Sequence, residues 1–101
     1  MVSLHPIQFG LGNRHSVFLT MDQSLYACGH NRHGQLGLGH KLNQSTPSKV
    51  SIDGHPVRVR CGENHSMVLM RDGSLYCWGH NGYGQLGVGS KMDQSSPVRV
   101  L

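Results

Sequence analysis

Eight histidines among 101 residues are the first feature of this sequence with chemical potential, because imidazole both ligates metals and titrates near neutral pH. Three of them, His30, His33 and His40, fall close together. A zinc site needs three or four convergent donors. Fifty residues later the same places hold His80, Tyr83 and Ser90, so two of the three donors do not recur, and the reading goes against zinc. Ser16 and Ser66 directly follow His15 and His65, but neighbours in a strand point to opposite faces, so neither adjacent pair makes a nucleophile with its base. The acids are Asp22, Asp53, Glu63, Asp72 and Asp93, mostly at turn-like positions, and they offer little to general acid–base work. Residues 79–87 form a glycine-rich stretch that lacks the Lys-Ser/Thr ending of a phosphate-binding loop and has a twin at 29–37. Its glycines serve left-handed turns and close strand approach, with Asn31, Gln35, Asn81 and Gln85 expected to bond the loop's own backbone. His15 and His65 are expected to pair with backbone groups of a neighbouring strand. These residues imply no catalytic site, no metal and no cofactor.

The elements that carry them repeat. Gly12-Asn13-Arg14-His15-Ser16 returns as Gly62-Glu63-Asn64-His65-Ser66, Ser24-Leu25-Tyr26 as Ser74-Leu75-Tyr76, and Gly34-Gln35-Leu36-Gly37 as Gly84-Gln85-Leu86-Gly87, all at an offset of fifty. His5-Pro6 recurs as His55-Pro56, and Pro47 with Val50 as Pro97 with Val100. The chain is therefore read as two copies, 1–50 and 51–101, forming one continuous unit.

Within each copy the punctuation predicts short strands. Val57, Val59 and Cys61 alternate with Arg58 and Arg60, as in a strand with one wet face, and Ile7, Phe9 and Leu11 alternate likewise with Gln8 and Gly10. Asp72-Gly73 is the most direct hairpin signal. The first copy has Asp22-Gln23 there, and glutamine tolerates a positive φ poorly, so a different or strained turn is expected. A last short strand is expected around Pro97 to Val100, with Pro47 to Val50 as its twin, and proline there suits a sheet edge. The hairpin strands are apolar on both faces: Met67 and Leu69 oppose Val68 and Met70, and Leu75 and Cys77 oppose Tyr76 and Trp78. Each sheet must be covered above and below, and stacked small sheets around an axis, a β-propeller, meet that demand.

Composition agrees with a folded, glycine-turned protein: 14 glycines, twice the usual share of about 7%. Net charge is +4 with no basic run, a weak hint of nucleic acid. No stretch approaches the ~20 apolar residues of a membrane helix, and residues 1–6 do not read as an export signal. Cys28, Cys61 and Cys77 cannot all pair within the chain, which favours a reducing setting, so an intracellular place, cytoplasmic or nuclear, is expected. The sequons at Asn43 and Asn64 are read as fortuitous.

Residues 62–89 carry the pattern G-x-x-H-S-x-x-L-x-x-D-G-x-L-Y-x-W-G-x-N-x-x-G-Q-L-G-x-G, which resembles the repeat of the regulator of chromosome condensation family. The first copy departs from it at Gln23, in place of the turn glycine, and at Cys28, in place of the tryptophan. The resemblance implies a seven-bladed propeller with about one blade per repeat. Functions in the family diverge, from guanine-nucleotide exchange with chromatin binding to light sensing, enzyme inhibition and protein docking, so the fold does not fix the function. No functional residue is carried over.

The resulting expectation is an all-β chain of two four-stranded antiparallel blades, completed to a ring by other chains or by a longer parent. It is expected to act as a non-enzymatic protein-binding or scaffold module, and if the chain is complete, to close as a homo-oligomer of three or four copies. The alternative is a fragment of a guanine-nucleotide exchange factor with chromatin contact. Val68, Met70, Tyr76, Trp78, Leu75, Cys77, Tyr26 and Leu25 are the residues expected at blade packing or assembly contacts.

Overall fold

A computed structural model describes residues 6–100; the recurrence of His5 as His55 lies outside the described residues. Strand punctuation is realised as eight strands: β1 Pro6–Leu11, β2 His15–Thr20, β3 Leu25–Gly29, β4 Gln44–Lys49, β5 Pro56–Cys61, β6 His65–Met70, β7 Leu75–Gly79 and β8 Gln94–Arg99. They form two antiparallel sheets, ordered β1-β2-β3-β4 and β5-β6-β7-β8. Each sheet is one blade. Pro47 and Pro97 lie in β4 and β8, the edge strands, where a missing N–H leaves no ladder bond unmade.

The blades stack face to face on an apolar cluster. Val17, Leu19, Leu25 and Ala27 come from the first blade and Val59, Val68, Met70 and Trp78 from the second, with Leu36 and Val50 closing the ends. Strand register sorts the faces. Gly10 pairs with Val17, and Val17 with Ala27, so the Gly10 side of β1 lies toward the second blade. There a Cβ on Gly10 would stand 3.0 Å from Cys61 Sγ. Gln8 on the same face bonds the Val57 carbonyl at 2.9 Å and accepts the Val59 N–H at 3.0 Å.

This corrects the reading of β1. Its apolar stripe does not face the contact between the blades: Phe9 is 58% exposed and Leu11 71%, while Gly10 is buried. Period two locates a stripe but not the side on which the next sheet lies. In β5 the corresponding apolar face does turn inward, and Val59 is buried.

The two hairpins also differ less than the sequence implies. Thr20 N–H bonds the Ser24 carbonyl and Gln23 N–H the Thr20 carbonyl, matching Met70 to Ser74 and Gly73 to Met70. The turn is the same, and Gln23 is held at φ 68° where Gly73 has φ 89°. Asp22 and Asp72 cap the two turns through Ser24 and Ser74. Those hydrogen bonds, from Thr20 and Ser24 in the first turn and from Ser74 in the second, hold both carboxyls below the ordinary range.

Candidate functional site

The long loops after β3 and β7 are built from their own amides. Asn31 donates to the carbonyls of His40 and Leu42 and accepts the Leu36 N–H, while Asn81 repeats this with Ser90, Met92 and Leu86. Gln35 and Gln85 accept the backbone N–H of residues 33 and 83. Both asparagines are fully buried, so each loop is a rigid projection rather than a slack connection.

The first of these projections sits on the second blade. The Gln35 carbonyl accepts both Trp78 Nε1–H at 2.9 Å and Ser66 Oγ–H at 2.7 Å, and Gly39 N–H bonds the Ser95 carbonyl at 2.8 Å. The fit demands glycine: a Cβ would reach within 2.6 Å of Ser95 Cα at Gly34 and within 2.7 Å of the Trp78 ring at Gly37. The second projection meets nothing comparable, since a Cβ at Gly84, Gly87 or Gly89 would find no atom within 4 Å. On the first blade a cleft lined by Ser16, Cys28, Gly29, Gln44 and Ser45 occupies the places that Ser66, Trp78, Gly79, Gln94 and Ser95 hold on the second. The chain thus presents one docked arm, one open arm and one open seat.

His15 lies under this contact. Its Nε2 is 2.9 Å from Ser66 Oγ, and because the Ser66 proton goes to Gln35, the imidazole is the donor. Ser66 lies in the next blade, and the His65 backbone of the same strand also acts on the ring, so the strand-backbone contact expected from sequence is joined by a side-chain bond. A serine and a histidine do therefore meet, across repeats rather than in adjacent positions. Ser66 is fully buried and has spent its proton, and His15 Nδ1 is buried without a partner, so no base activates that hydroxyl. Burial pushes the His15 pKa down to about 4.

Of the residues expected at packing contacts, Val68, Met70, Trp78 and Leu25 lie in the cluster between the blades, and Tyr76 packs against it half-buried. Trp78 is 0% exposed. Leu75 and Cys77 lie on the far face of the second blade. Tyr26 lies on the outer face of the first, stacked on Phe18 at 5.7 Å, with Phe9 5.9 Å from Phe18. Burial raises the Cys61 thiol to about 11 and shifts Cys77 upward, so neither supplies a thiolate at neutral pH.

His30, His33 and His40 do not gather into a ligand set among the described residues. Instead His33 from the first projection meets His80 and Asp93 of the second blade, and one ligand atom from each lies within 4.8 Å of the others. His33 Nδ1 is 3.2 Å from Asp93 Oδ2, and the two imidazole rings are 4.6 Å apart, edge to face. Burial pushes the Asp93 carboxyl up, but the Asn81 N–H and His33 outweigh it and hold the pKa low. Sequence reasoning missed this group because it joins residues sixty and forty-seven positions apart in different blades.

The regulator of chromosome condensation (RCC1) repeat matches residues 22–69 and 72–101, and a second form of the repeat matches 7–35 and 57–85. The chain belongs to the RCC1 repeat family. Among relatives, the mouse RCC1-like G exchanging factor-like protein is 47% identical over 47 residues, covering 46% of this chain and 10% of its own length. The crystal structure of human WBSCR16 superposes with a TM-score of 0.89 at 30% identity, over 99% of this chain and 26% of that one. Yeast RCC1 (Prp20), crystallised with Kap60, gives 0.89 at 22% identity over 100% of this chain and 26% of its own. The RCC1 repeats here thus span about a tenth of that curated relative and about a quarter of the solved propellers.

Proposed function

We propose that this pair of RCC1 repeats is a non-enzymatic protein-binding module whose open arm and open seat take further propeller blades. The observation that carries the reading is the docked arm. Within the chain, residues 34–39 lie on Trp78, Ser66 and Ser95, and the same two surfaces recur unpaired at residues 84–89 and around Ser16 and Cys28. Exposed Phe9 and Leu11 beside the open seat support it, since contiguous apolar surface on soluble proteins marks contacts. The completed ring would offer its faces to protein partners; a yeast RCC1 (Prp20) is itself found bound to a protein, Kap60. An intracellular setting, cytoplasmic or nuclear, belongs to the same proposal; no helix of the described residues is long and apolar enough to cross a membrane.

The test is capture of the isolated repeats by an immobilised RCC1-type propeller lacking two blades, read by surface plasmon resonance. Binding lost on Leu11→Asp supports the reading, and no binding by the folded chain counts against it. A second reading, nucleotide exchange on a small GTPase, is favoured by the mouse relative's name. Release of a fluorescent guanine nucleotide, followed with and without the chain and alongside salt-dependent DNA binding, decides it. Unchanged release together with no salt-sensitive DNA affinity removes it.

A further inference from the structure

We propose that His33, His80 and Asp93 form a divalent metal site of the zinc class, bridging the first blade's projecting loop to the second blade. Two imidazoles and one carboxylate are a recurrent three-ligand set for zinc and its first-row neighbours, with remaining positions open to water or a partner's donor. The atoms are nearly placed: His33 Nδ1 and Asp93 Oδ2 are 3.2 Å apart, close to the ~3.3 Å between ligands at metal distances of about 2.0–2.1 Å in a tetrahedron. The whole set, within 4.8 Å, closes by movement of partly exposed side chains. Gln85 is the group that must yield. Its Oε1 accepts the Tyr83 N–H at 2.9 Å, so its Nε2–H points at His80 Nδ1, 2.7 Å away, and ligation through either imidazole nitrogen requires that exposed amide to release the ring.

The internal repeat separates what the fold needs from what is surplus. Asp93 Oδ1 accepts the Asn81 N–H at 2.9 Å, and in the first repeat Asn43 accepts the Asn31 N–H at 2.8 Å. A neutral amide performs that task, so the loop does not call for the charge at residue 93. At residue 33 the loop uses the backbone N–H, bonded to Gln35 Oε1 at 2.8 Å, and Tyr83 supplies the same bond in the second repeat. The imidazole of His33 is likewise unneeded by its own loop. The two residues whose side-chain chemistry the repeat does not require are the two that face each other across the blades. Asp93 is oriented by the Asn81 N–H, as outer hydrogen bonds orient metal-binding carboxylates.

The repeat also supplies the controls. His33→Tyr and Asp93→Asn each install the residue that the other copy carries, so both variants should fold. The chain, stripped with a chelator, is titrated with zinc chloride in competition with a chromogenic chelator, and separately with cobalt(II) to read ligand-field absorption. One zinc per chain, an upward shift in melting temperature with zinc, and at least about tenfold weaker binding in each variant are expected. Metal-free melting temperatures of the variants should match the parent. Should either fall, the cobalt spectrum of the folded fraction still reports whether nitrogen and oxygen ligands surround the metal. Zinc affinity unchanged in both variants would place any binding on other histidines and overturn the site. No binding tighter than about 100 µM would leave His33 and Asp93 as an ion pair only, with the same consequence.

Discussion

Trp78 and His15 show how single side chains hold the two blades together. Trp78 combines complete burial with an indole N–H spent on the Gln35 carbonyl, so Trp78→Ala opens a large cavity in the shared core. A loss of about 3–5 kcal/mol is expected by chemical denaturation, and an unchanged midpoint would contradict the packing. His15 gives a pH dependence of definite sign. Its folded pKa is depressed to about 4 from the ordinary 6.5, so below pH 6.5 the unfolded chain holds a proton that the folded chain does not. Stability from this group is complete above about pH 6.5, falls as pH drops toward 4 and is flat below, with a total of at most about 3 kcal/mol. Melting temperatures measured from pH 8 to 4 should drop through that window, and His15→Gln should reduce the drop but not abolish it, because burial also lowers the His65 pKa. At this scale the sequence disclosed the amide-built loops and the buried tryptophan, because each copy repeats the same donors and acceptors. It hid the His15–Ser66 bond and the His33–His80–Asp93 group, because those depend on the distance between blades, which no period within one repeat encodes.

The hairpins and loops are legible where one residue type alone suits a backbone shape. Asp72-Gly73 is such a place, and its twin tests the rule, since Gln23 sits at φ 68° in a turn with the same hydrogen bonds. A side chain at positive φ costs about 1–2 kcal/mol. Gly73 has open space around a would-be Cβ, so Gly73→Ala should destabilise through backbone strain alone. Gln23→Gly should be neutral or stabilising by up to about 1 kcal/mol, reduced by loss of the exposed Gln23 bond to His55. Calorimetry on the pair decides it, and opposite signs would refute the shared turn. What the pattern did not disclose was which face of β1 turns inward. Ile7, Phe9 and Leu11 alternate as cleanly as Val57, Val59 and Cys61, yet only the stacking order assigns one stripe to the inner contact and the other to the outside.

At the scale of the whole molecule, the question is whether copies of this chain satisfy each other's open surfaces. In a head-to-tail arrangement the far face of the second blade, with Met67, Leu69, Leu75 and Cys77, meets the outer face of the first blade of the next copy, with Phe9, Leu11, Phe18 and Tyr26, while the open arm enters the open seat. Heterologous contacts of this kind close into a ring when the rotation allows, and pairs of blades would close at about three or four chains, giving six or eight blades. The contact would not copy the internal one. Gly10 approaches the second blade so closely that its Cβ would lie 3.0 Å from Cys61 Sγ. The residue fifty positions later is Arg60, which would press on Leu11 of the next copy, while Cys28 would leave part of Trp78's volume unfilled. Arginine crowding thus opposes association, and two blade faces of apolar surface favour it. Native mass spectrometry of this 101-residue chain at micromolar concentration should show assemblies of three or four chains. Arg60→Gly, which installs the first repeat's residue, should raise their share, and Leu11→Asp, placed where the side chain is 71% exposed and therefore tolerated by the fold, should return single chains. A parent and an Arg60→Gly variant that both remain well-folded monomers with cooperative unfolding would show that copies of this chain do not complete the ring.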